Sequence, residues 1–346
     1  MRLYFLIFLV FVHYLNSQSR VGEWDVHLNY SKGTCLFFNE NIIYTGTESQ
    51  FFTYNQNDNS IEAFSKMNGL NDTNISAINL DSESNILIIG YENGNIDLIS
   101  NNQIINIPYI KNSSNIIGSK KINNIHVNHG FAYLSCDFGL VKLKIVDAEI
   151  LDTYYFWNNG SYGNVLDCFV FNNSTDHPQL SDKIFVATNF GLFSAPKNNP
   201  NLIDPNSWST DYTVLKNGGK TVYTSFTNGV KKLVGQNDGD QNLIVFPNEY
   251  DEIGGGSGEC EMLIFSGDEN FFISKEIPEI CANNENIISG YLKNGEVMGF
   301  SYSKLFYVQN VDNLKSAESP LVNMDIFSIS PLNLLNSFNN IVFDKN

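Results

Sequence analysis

A short strand–turn–strand cassette recurs along this chain, and its spacing decides the architecture before any side-chain chemistry is considered. The clearest copy reads Ile88-Ile89-Gly90-Tyr91-Glu92-Asn93-Gly94-Asn95-Ile96-Asp97-Leu98-Ile99. Tyr133-Leu134-Ser135-Cys136-Asp137-Phe138-Gly139-Leu140-Val141 repeats it, as does Phe185-Val186-Ala187-Thr188-Asn189-Phe190-Gly191-Leu192-Phe193. Each copy joins two β-rich runs through a small polar turn and a glycine, which takes φ > 0 without a Cβ clash. Gly94 to Gly139 is 45 residues and Gly139 to Gly191 is 52. The Tyr44–Phe52 stretch fits one period earlier. Gly239, after Leu233-Val234-Gly235 and before Leu243-Ile244-Val245-Phe246, fits one period later. A sixth copy spans Met298–Tyr307, with Lys304 in the turn, and the wider gap before it contains Gly254-Gly255-Gly256-Ser257-Gly258. Gly94, Gly139, Gly191 and Gly239 are therefore read as structural turn positions.

His129-Gly130, Asn228-Gly229 and Asn294-Gly295 precede cassettes and read as hairpin turns. Strands are expected before them, over Ile122–Val127, Thr221–Phe226 and Ile287–Leu292. Fourth strands follow cassettes at Ser60–Phe64 and Glu149–Tyr155. Four strands per period of about 45 residues is the unit of a β-propeller. The expected fold is all-β, a propeller of four-stranded blades. Six are recognisable, and a seventh is incomplete or closed elsewhere. Asp325–Ile329 reads as the opening strand of that seventh unit, so the chain reads as a fragment of a longer architecture, against the alternative of a closed six-blade ring with a tail.

Helical periodicity is nearly absent outside the first residues. The 26 Phe and 17 Tyr suit many half-buried strands. Residues 1–17 read as a secretory signal: Arg2, an apolar run over Leu3–Leu15 broken by His13, then Asn16-Ser17 before a cleavage point at Gln18. The run is too short to span a bilayer. Residues 18–346 then form the exported propeller. The formal charge of −17 becomes −18 when Arg2 is removed. That excludes nucleic acid as a partner. The pairs Lys120-Lys121 and Lys231-Lys232 are the local exceptions and read first as solvated lysines.

Catalytic and metal chemistry find no motif. There is no CxxC, HExxH, GxSxG or phosphate-binding glycine loop. His27, His126, His129 and His177 fall in unrelated contexts. The acidic stretches Asn237-Asp238-Gly239-Asp240 and Glu249-Tyr250-Asp251-Glu252 lack calcium-loop spacing and read as solvated turns. Cys35, Cys136, Cys168, Cys260 and Cys281 are odd in number and widely spaced. Cys136 suits a strand core, and Cys260 and Cys281 are the candidates for a bridge in an oxidising compartment. Sequons are frequent, for example at Asn29, Asn71, Asn74 and Asn112. The expectation is a non-enzymatic protein without cofactor.

The stretch from Ile61-Glu62-Ala63-Phe64 through Asn71-Asp72 to Ile75-Ser76-Ala77-Ile78 resembles a known family. So do the Gly90–Ile99 string, Lys121-Ile122-Asn123-Asn124-Ile125 and Ala132–Gly139. The family is the PorZ component of the type IX secretion system of Bacteroidota. The resemblance is close over about Val21–Lys197 and weaker beyond. It implies an N-terminal propeller followed by a second propeller and a C-terminal sorting domain. It also implies a place in an outer-membrane complex with the sortase PorU and with PorV and PorQ, where anionic lipopolysaccharide is delivered to the sortase. No ligand residue of the family falls on a nameable position, and the negative charge makes this part a poor general attractor for an anionic glycolipid. A scaffold role follows from the resemblance. Two other readings remain open. A periplasmic sensor propeller of a hybrid two-component regulator would require a transmembrane span downstream. A secreted glycan-active enzyme would require carboxylates and arginines gathered on one face.

Overall fold

The computed structural model describes residues 33–101, 103–158, 160–210, 212–216, 220–223, 229–237, 241–247, 261–265, 271–276, 289–293, 296–300, 304–308, 324–328 and 340–343. All lie in one unit, Ser31–Asn346. Six blades follow one another in chain order. Blade 1 comprises β1 (Gly33–Asn39), β2 (Ile42–Thr47), β3 (Gln50–Asn55) and β4 (Ile61–Ser65). Blade 2 comprises β5 (Ile75–Asp81), β6 (Ile86–Tyr91), β7 (Ile96–Ser100) and β8 (Gln103–Ile107), and blade 3 β9 (Ile122–Asn128), β10 (Phe131–Cys136), β11 (Gly139–Lys144) and β12 (Glu149–Tyr154). The small hairpin β13 (Trp157–Asn158) and β14 (Ser161–Tyr162) precedes blade 4, whose sheet has three strands: β15 (Val165–Val170), β16 (Lys183–Thr188) and β17 (Gly191–Pro196). Beyond β17 a single bridge, Ser194 to Ser209, stands where a fourth strand would pair.

A second hairpin, β18 (Thr213–Lys216) and β19 (Lys220–Tyr223), comes next in the chain. Blade 5 has β20 (Val230–Gln236), β21 (Asn242–Pro247), β22 (Glu261–Phe265) and β23 (Phe271–Glu276). The hairpin joins its outer edge, β18 lying parallel to β23, to make six strands. Blade 6 has β24 (Ser289–Lys293), β25 (Glu296–Phe300), β26 (Lys304–Val308) and β27 (Met324–Ser328). The last strand, β28 (Asn340–Phe343), lies parallel on β1 and becomes a fifth strand of blade 1.

Three sequence expectations change here. Met324–Ser328 does not open a seventh blade; it pairs antiparallel with β26 and finishes the sixth. The Leu233–Phe246 copy is one strand out of frame. It covers the first and second strands of its blade, whereas the other copies cover the second and third. A glycine between two β-rich runs marks either hairpin equally well, so the pattern alone could not separate them. Gly239 itself lies outside the described residues. Finally, Gly229 ends no hairpin, because β19 pairs with β18 at the opposite edge of the sheet from β20. Its φ of +86° is left-handed, and an added Cβ would lie 2.4 Å from the Asn189 carbonyl carbon.

The burial pattern explains the composition. An inner strand such as β5 is buried at all seven positions, since neighbouring blades cover both faces. An outer strand such as β8 is exposed at Gln103 and Ile105 and only half-buried between them. Among the described residues, four wedges between blades each hold an apolar cluster. Phe37, Phe51, Ile78 and Ile89 fill the first, and Ile88, Ile125 and Leu134 the second. Tyr133, Val170, Phe156 and Trp208 fill the third, and Phe171, Phe185, Phe265 and Phe272 the fourth. Each such side chain contributes about 1.5–3 kcal/mol when fully buried.

Described inner strands of adjacent blades are tied by side chains. Thr34 Oγ1 donates to the Ile75 carbonyl at 2.5 Å, Asn79 Nδ2 to Ile125 at 2.7 Å and Asn123 Nδ2 to Val165 at 2.9 Å. Asn237 Nδ2 reaches back to the Val170 carbonyl at 2.9 Å. The most buried tie is ionic. Asp167 on β15 holds Lys232 Nζ of β20 at 3.0 Å, accepts from the Leu233 and Cys168 amides at 3.0 and 2.8 Å, and accepts from Asn124 of β9. One carboxylate thus joins three blades. Removing one partner of such a pair leaves a buried charge uncompensated. Lys232→Met is expected to cost about 3–5 kcal/mol, read as a lowered urea midpoint, and Lys232→Met with Asp167→Asn to recover part of it. An unchanged midpoint in the single variant would contradict the tie.

Candidate functional surface

The strand order fixes what lies at each end of the ring. The turns between second and third strands share one end with the connections that lead from each blade to the next. Backbone bonds lace the two sets together: Asn74 N to Glu48 O at 2.7 Å, Glu92 N to Asn74 O at 3.0 Å, Asp137 N to Lys121 O at 3.0 Å, and Asn189 N to Asn164 O at 3.1 Å. This cassette end carries the turn glycines. Gly94 has a φ of +81° and donates its amide to the Tyr91 carbonyl at 3.1 Å. At Gly139 space is the constraint, since a Cβ would stand 2.5 Å from the Tyr154 carbonyl oxygen. Gly191 opens β17, paired with Thr188 across the two-residue turn Asn189-Phe190.

A polar network supports this end between blades 1 and 2. Asp97, fully buried on β7, accepts from Tyr91 Oη at 2.6 Å, from the Asn71 amide at 2.9 Å, from Asn71 Nδ2 at 2.9 Å and from Asn106 Nδ2 at 2.9 Å. Asp72 accepts from Lys111 Nζ at 2.6 Å, Asn93 Nδ2 at 2.7 Å and Asn95 Nδ2 at 3.2 Å. Burial works to raise the Asp72 carboxyl, but Lys111 and Asn93 outweigh it and hold it below the ordinary carboxylate value. Burial, followed by the bond to Asp97, pushes the Tyr91 phenol far up, so it stays a donor. Both carboxylates are engaged in several hydrogen bonds each, and the network fixes the blade 1–2 connection to the cassette turn. The Gly69-Leu70-Asn71-Asp72 junction was visible in sequence, but nothing there indicated that its two polar residues meet Asp97 and Lys111.

The remaining sequence candidates do not converge. His126 lies in β9 and accepts from the Val170 amide at 3.2 Å; His129 Nδ1 lies 3.0 Å from Glu83; His177 lies in the loop before β16. His27 lies outside the described residues. Among those residues, no three His, Cys, Asp or Glu side chains gather in a metal-binding group. The lysine pairs are engaged within the fold. Lys120 Nζ donates to the carbonyls of Lys111 and Ser113, Lys121 stands 3.9 Å from Glu92, and Lys232 holds Asp167. Lys231 is half-buried, and desolvation lowers its ammonium pKa. Cys35, Cys136 and Cys168 are buried free thiols; burial pushes Cys35 up to about 12. Cys260, Cys281, the 254–258 glycines, residues 1–17 and the acidic stretches apart from Asn237 lie outside the described residues. Of the sequons, Asn71 is bonded to Asp97, whereas Asn74 and Asn112 are exposed and Asn29 is undescribed.

Blades of four strands around an axis define the class: this is a β-propeller. Residues 43–209 match the family model of the N-terminal beta-propeller domain of PorZ of the type IX secretion system. Among solved structures the chain is similar to PorZ of Porphyromonas gingivalis, with a TM-score of 0.62, 16% identity, and coverage of 89% of this chain and 34% of that one. It is also similar to the WD40 repeats of RRP9 (0.56, 9%, covering 88% and 82%) and to the Cps50 (Swd1) propeller of Myceliophteria thermophila (0.54, 8%, covering 88% and 90%). At these identities the likeness is one of fold. The chain spans about a third of the length of the PorZ structure. No curated protein matches it. No helix among the described residues is long and apolar enough to cross a membrane.

The network has two measurable consequences. Asp97→Ala removes the carboxylate that accepts from Tyr91 Oη and from the amide and Nδ2 of Asn71, and is expected to lower stability by about 2–4 kcal/mol in urea titration. Asp72 and Asp182 both titrate below the ordinary carboxylate value, Asp182 through Asn173 and Lys197. Their stabilisation is present above about pH 4 and lost as pH falls through the folded-state values. The urea midpoint should therefore drop between pH 5 and pH 3, roughly by this logic, and drop less in Asp72→Asn.

Proposed function

We propose that this propeller is a non-enzymatic scaffold of the type IX secretion machinery at the cell envelope. In this reading it is the N-terminal propeller, residues 18–346, of a longer two-propeller protein exported by the signal at residues 1–17. It works in the outer-membrane attachment complex with a PorU-like sortase and PorV-like and PorQ-like components. It aids delivery of anionic lipopolysaccharide to the sortase that modifies secreted cargo, with the glycolipid held by parts beyond this chain. The observation that carries the reading is the match of residues 43–209 to the PorZ N-terminal propeller. The use of Asp72, Asp97 and Asp167 as interior hydrogen-bond acceptors supports a scaffold over a catalyst.

The test uses the full-length protein, tagged in its own host. The sortase and its two companions should co-purify from solubilised outer membrane, and deletion of the gene should leave secreted cargo without lipopolysaccharide. A protein that purifies alone from intact envelope, with cargo modification unchanged in the deletion, would overturn the reading.

A further inference from the structure

Ten large apolar side chains stand exposed among the described residues, and they are unevenly placed. Met67 (70% exposed), Tyr109 (65%), Ile117 (83%), Trp157 (48%) and Tyr162 (38%) all belong to blade connections at the cassette end. Val146 (67%) and Ile203 (65%) lie in third-to-fourth-strand connections at the opposite end. Ile61, Ile105 and Leu151 sit on outer strands. The five come from three successive connections, between blades 1 and 2, 2 and 3, and 3 and 4. Trp157 and Tyr162 form a pair on the β13–β14 hairpin, with ring centroids 4.1 Å apart, and Tyr155 backs Tyr162 at 5.3 Å. A solvent-facing hairpin of two strands of two residues each, carrying a Trp and a Tyr, gains little stability from them. Such residues are enriched where protein surfaces dock.

Charge separates the two ends as well. From blade 1 to Lys197, the turns and loops of the opposite end carry Glu40, Asp58, Glu83, Asp147, Asp176 and Asp182 against the single lysine Lys197. At the cassette end, Glu48, Asp72, Glu92 and Asp137 are balanced by Lys66, Lys111, Lys120 and Lys121. In a chain of net charge −17 this end is locally neutral. Its lysines also face internal partners: Lys111 holds Asp72 at 2.6 Å with Lys66 at 4.0 Å from the same carboxylate, Lys120 caps two carbonyls, and Lys121 faces Glu92. A polyanion would have to compete for cations already engaged. An apolar protein surface meets no such competition and is not repelled.

We propose that the cassette end of blades 1 to 3 is a docking surface for a folded protein partner presenting an apolar patch, with the Trp157–Tyr162 hairpin as its main contact. The inference rests on the scaffold reading above and names the side of the ring that the complex uses.

The experiment places a photo-crosslinking amino acid singly at Met67, Ile117, Trp157 or Val146 of the full-length protein in its own host. Irradiation should join the first three positions to a component that co-purifies with the unsubstituted protein, identified by mass spectrometry, and should leave Val146 uncrosslinked. Separately, Trp157→Glu with Ile117→Glu should reduce co-purification about tenfold or more, the loss of 1.4 kcal/mol or above, with Val146→Glu unchanged. Crosslinks from Val146 alone, equal crosslinks from all four positions, or crosslinks to glycolipid instead of protein would overturn the docking surface while the scaffold reading stands. Failure of the unsubstituted protein to bring down any complex would instead overturn the scaffold reading, and this inference with it.

Discussion

Adjacent blades of a propeller share no backbone ladder, and this chain depends on how that gap is bridged. Within a blade, strands pair edge to edge and satisfy one another. Where one blade meets the next, sheets pack face to face and carbonyls near the axis have no strand beside them. Buried carbonyls without partners are costly. Here side chains from the neighbouring blade supply the donors: Thr34 to Ile75, Asn79 to Ile125, Asn123 to Val165, and Asn237 to Val170. Asparagine suits this task because its short amide reaches across a narrow gap with two donors and stays neutral. The abundance of asparagine, which from composition suggests loops and chance sequons, is partly a feature of the ring's interior.

The same constraint governs the buried carboxylates. Asp167 answers donors from three blades, and Asp97 closes a cassette turn onto the connection from blade 1. Each is stabilised by several directed donors, the condition under which an ionised group can be buried. A carboxylate so occupied is poorly placed for general acid or base work, which needs a proton exchanged at an accessible oxygen. These two buried carboxylates therefore serve architecture. What distinguishes one such ring from another has to reside in the turns and connections at its ends.

Much of the architecture was legible in sequence because it is periodic. Four of the cassette copies fall on second and third strands of blades 1 to 4, and Met298–Tyr307 does so in blade 6. The frame broke where the chain adds something aperiodic. The β18–β19 hairpin inserts two strands at the outer edge of blade 5, so a glycine at nearly the right interval marked the wrong hairpin. The end of the chain misled for a related reason: a strand pattern such as Asp325–Ile329 carries no sign of whether it closes one blade or opens the next. The polar network was illegible for a different reason. Asn71 and Asp97 are 26 positions apart, and no local pattern records that a connection folds back over a turn.

The comparisons bear on where function can lie. RRP9 and Swd1 share this architecture at 8–9% identity, so the ring itself is compatible with unrelated interior sequences and specifies no activity. The match to the PorZ propeller, by contrast, runs over residues 43–209 and so takes in the connections carrying Met67, Tyr109, Ile117 and Trp157. Those connections are longer than closing a blade demands. A turn of a few residues would join an outer strand to the next inner strand, yet the chain spends the segment from Pro108 to Lys121 on one crossing and builds a separate hairpin on the next. Extra length costs ordering entropy, and only part of it returns to the core, as Ile110 and Phe156 do. Aromatic and aliphatic side chains left partly or largely exposed on such segments gain incomplete burial from the fold that carries them, which is the physical ground for reading the cassette end as the side of the ring that meets a partner.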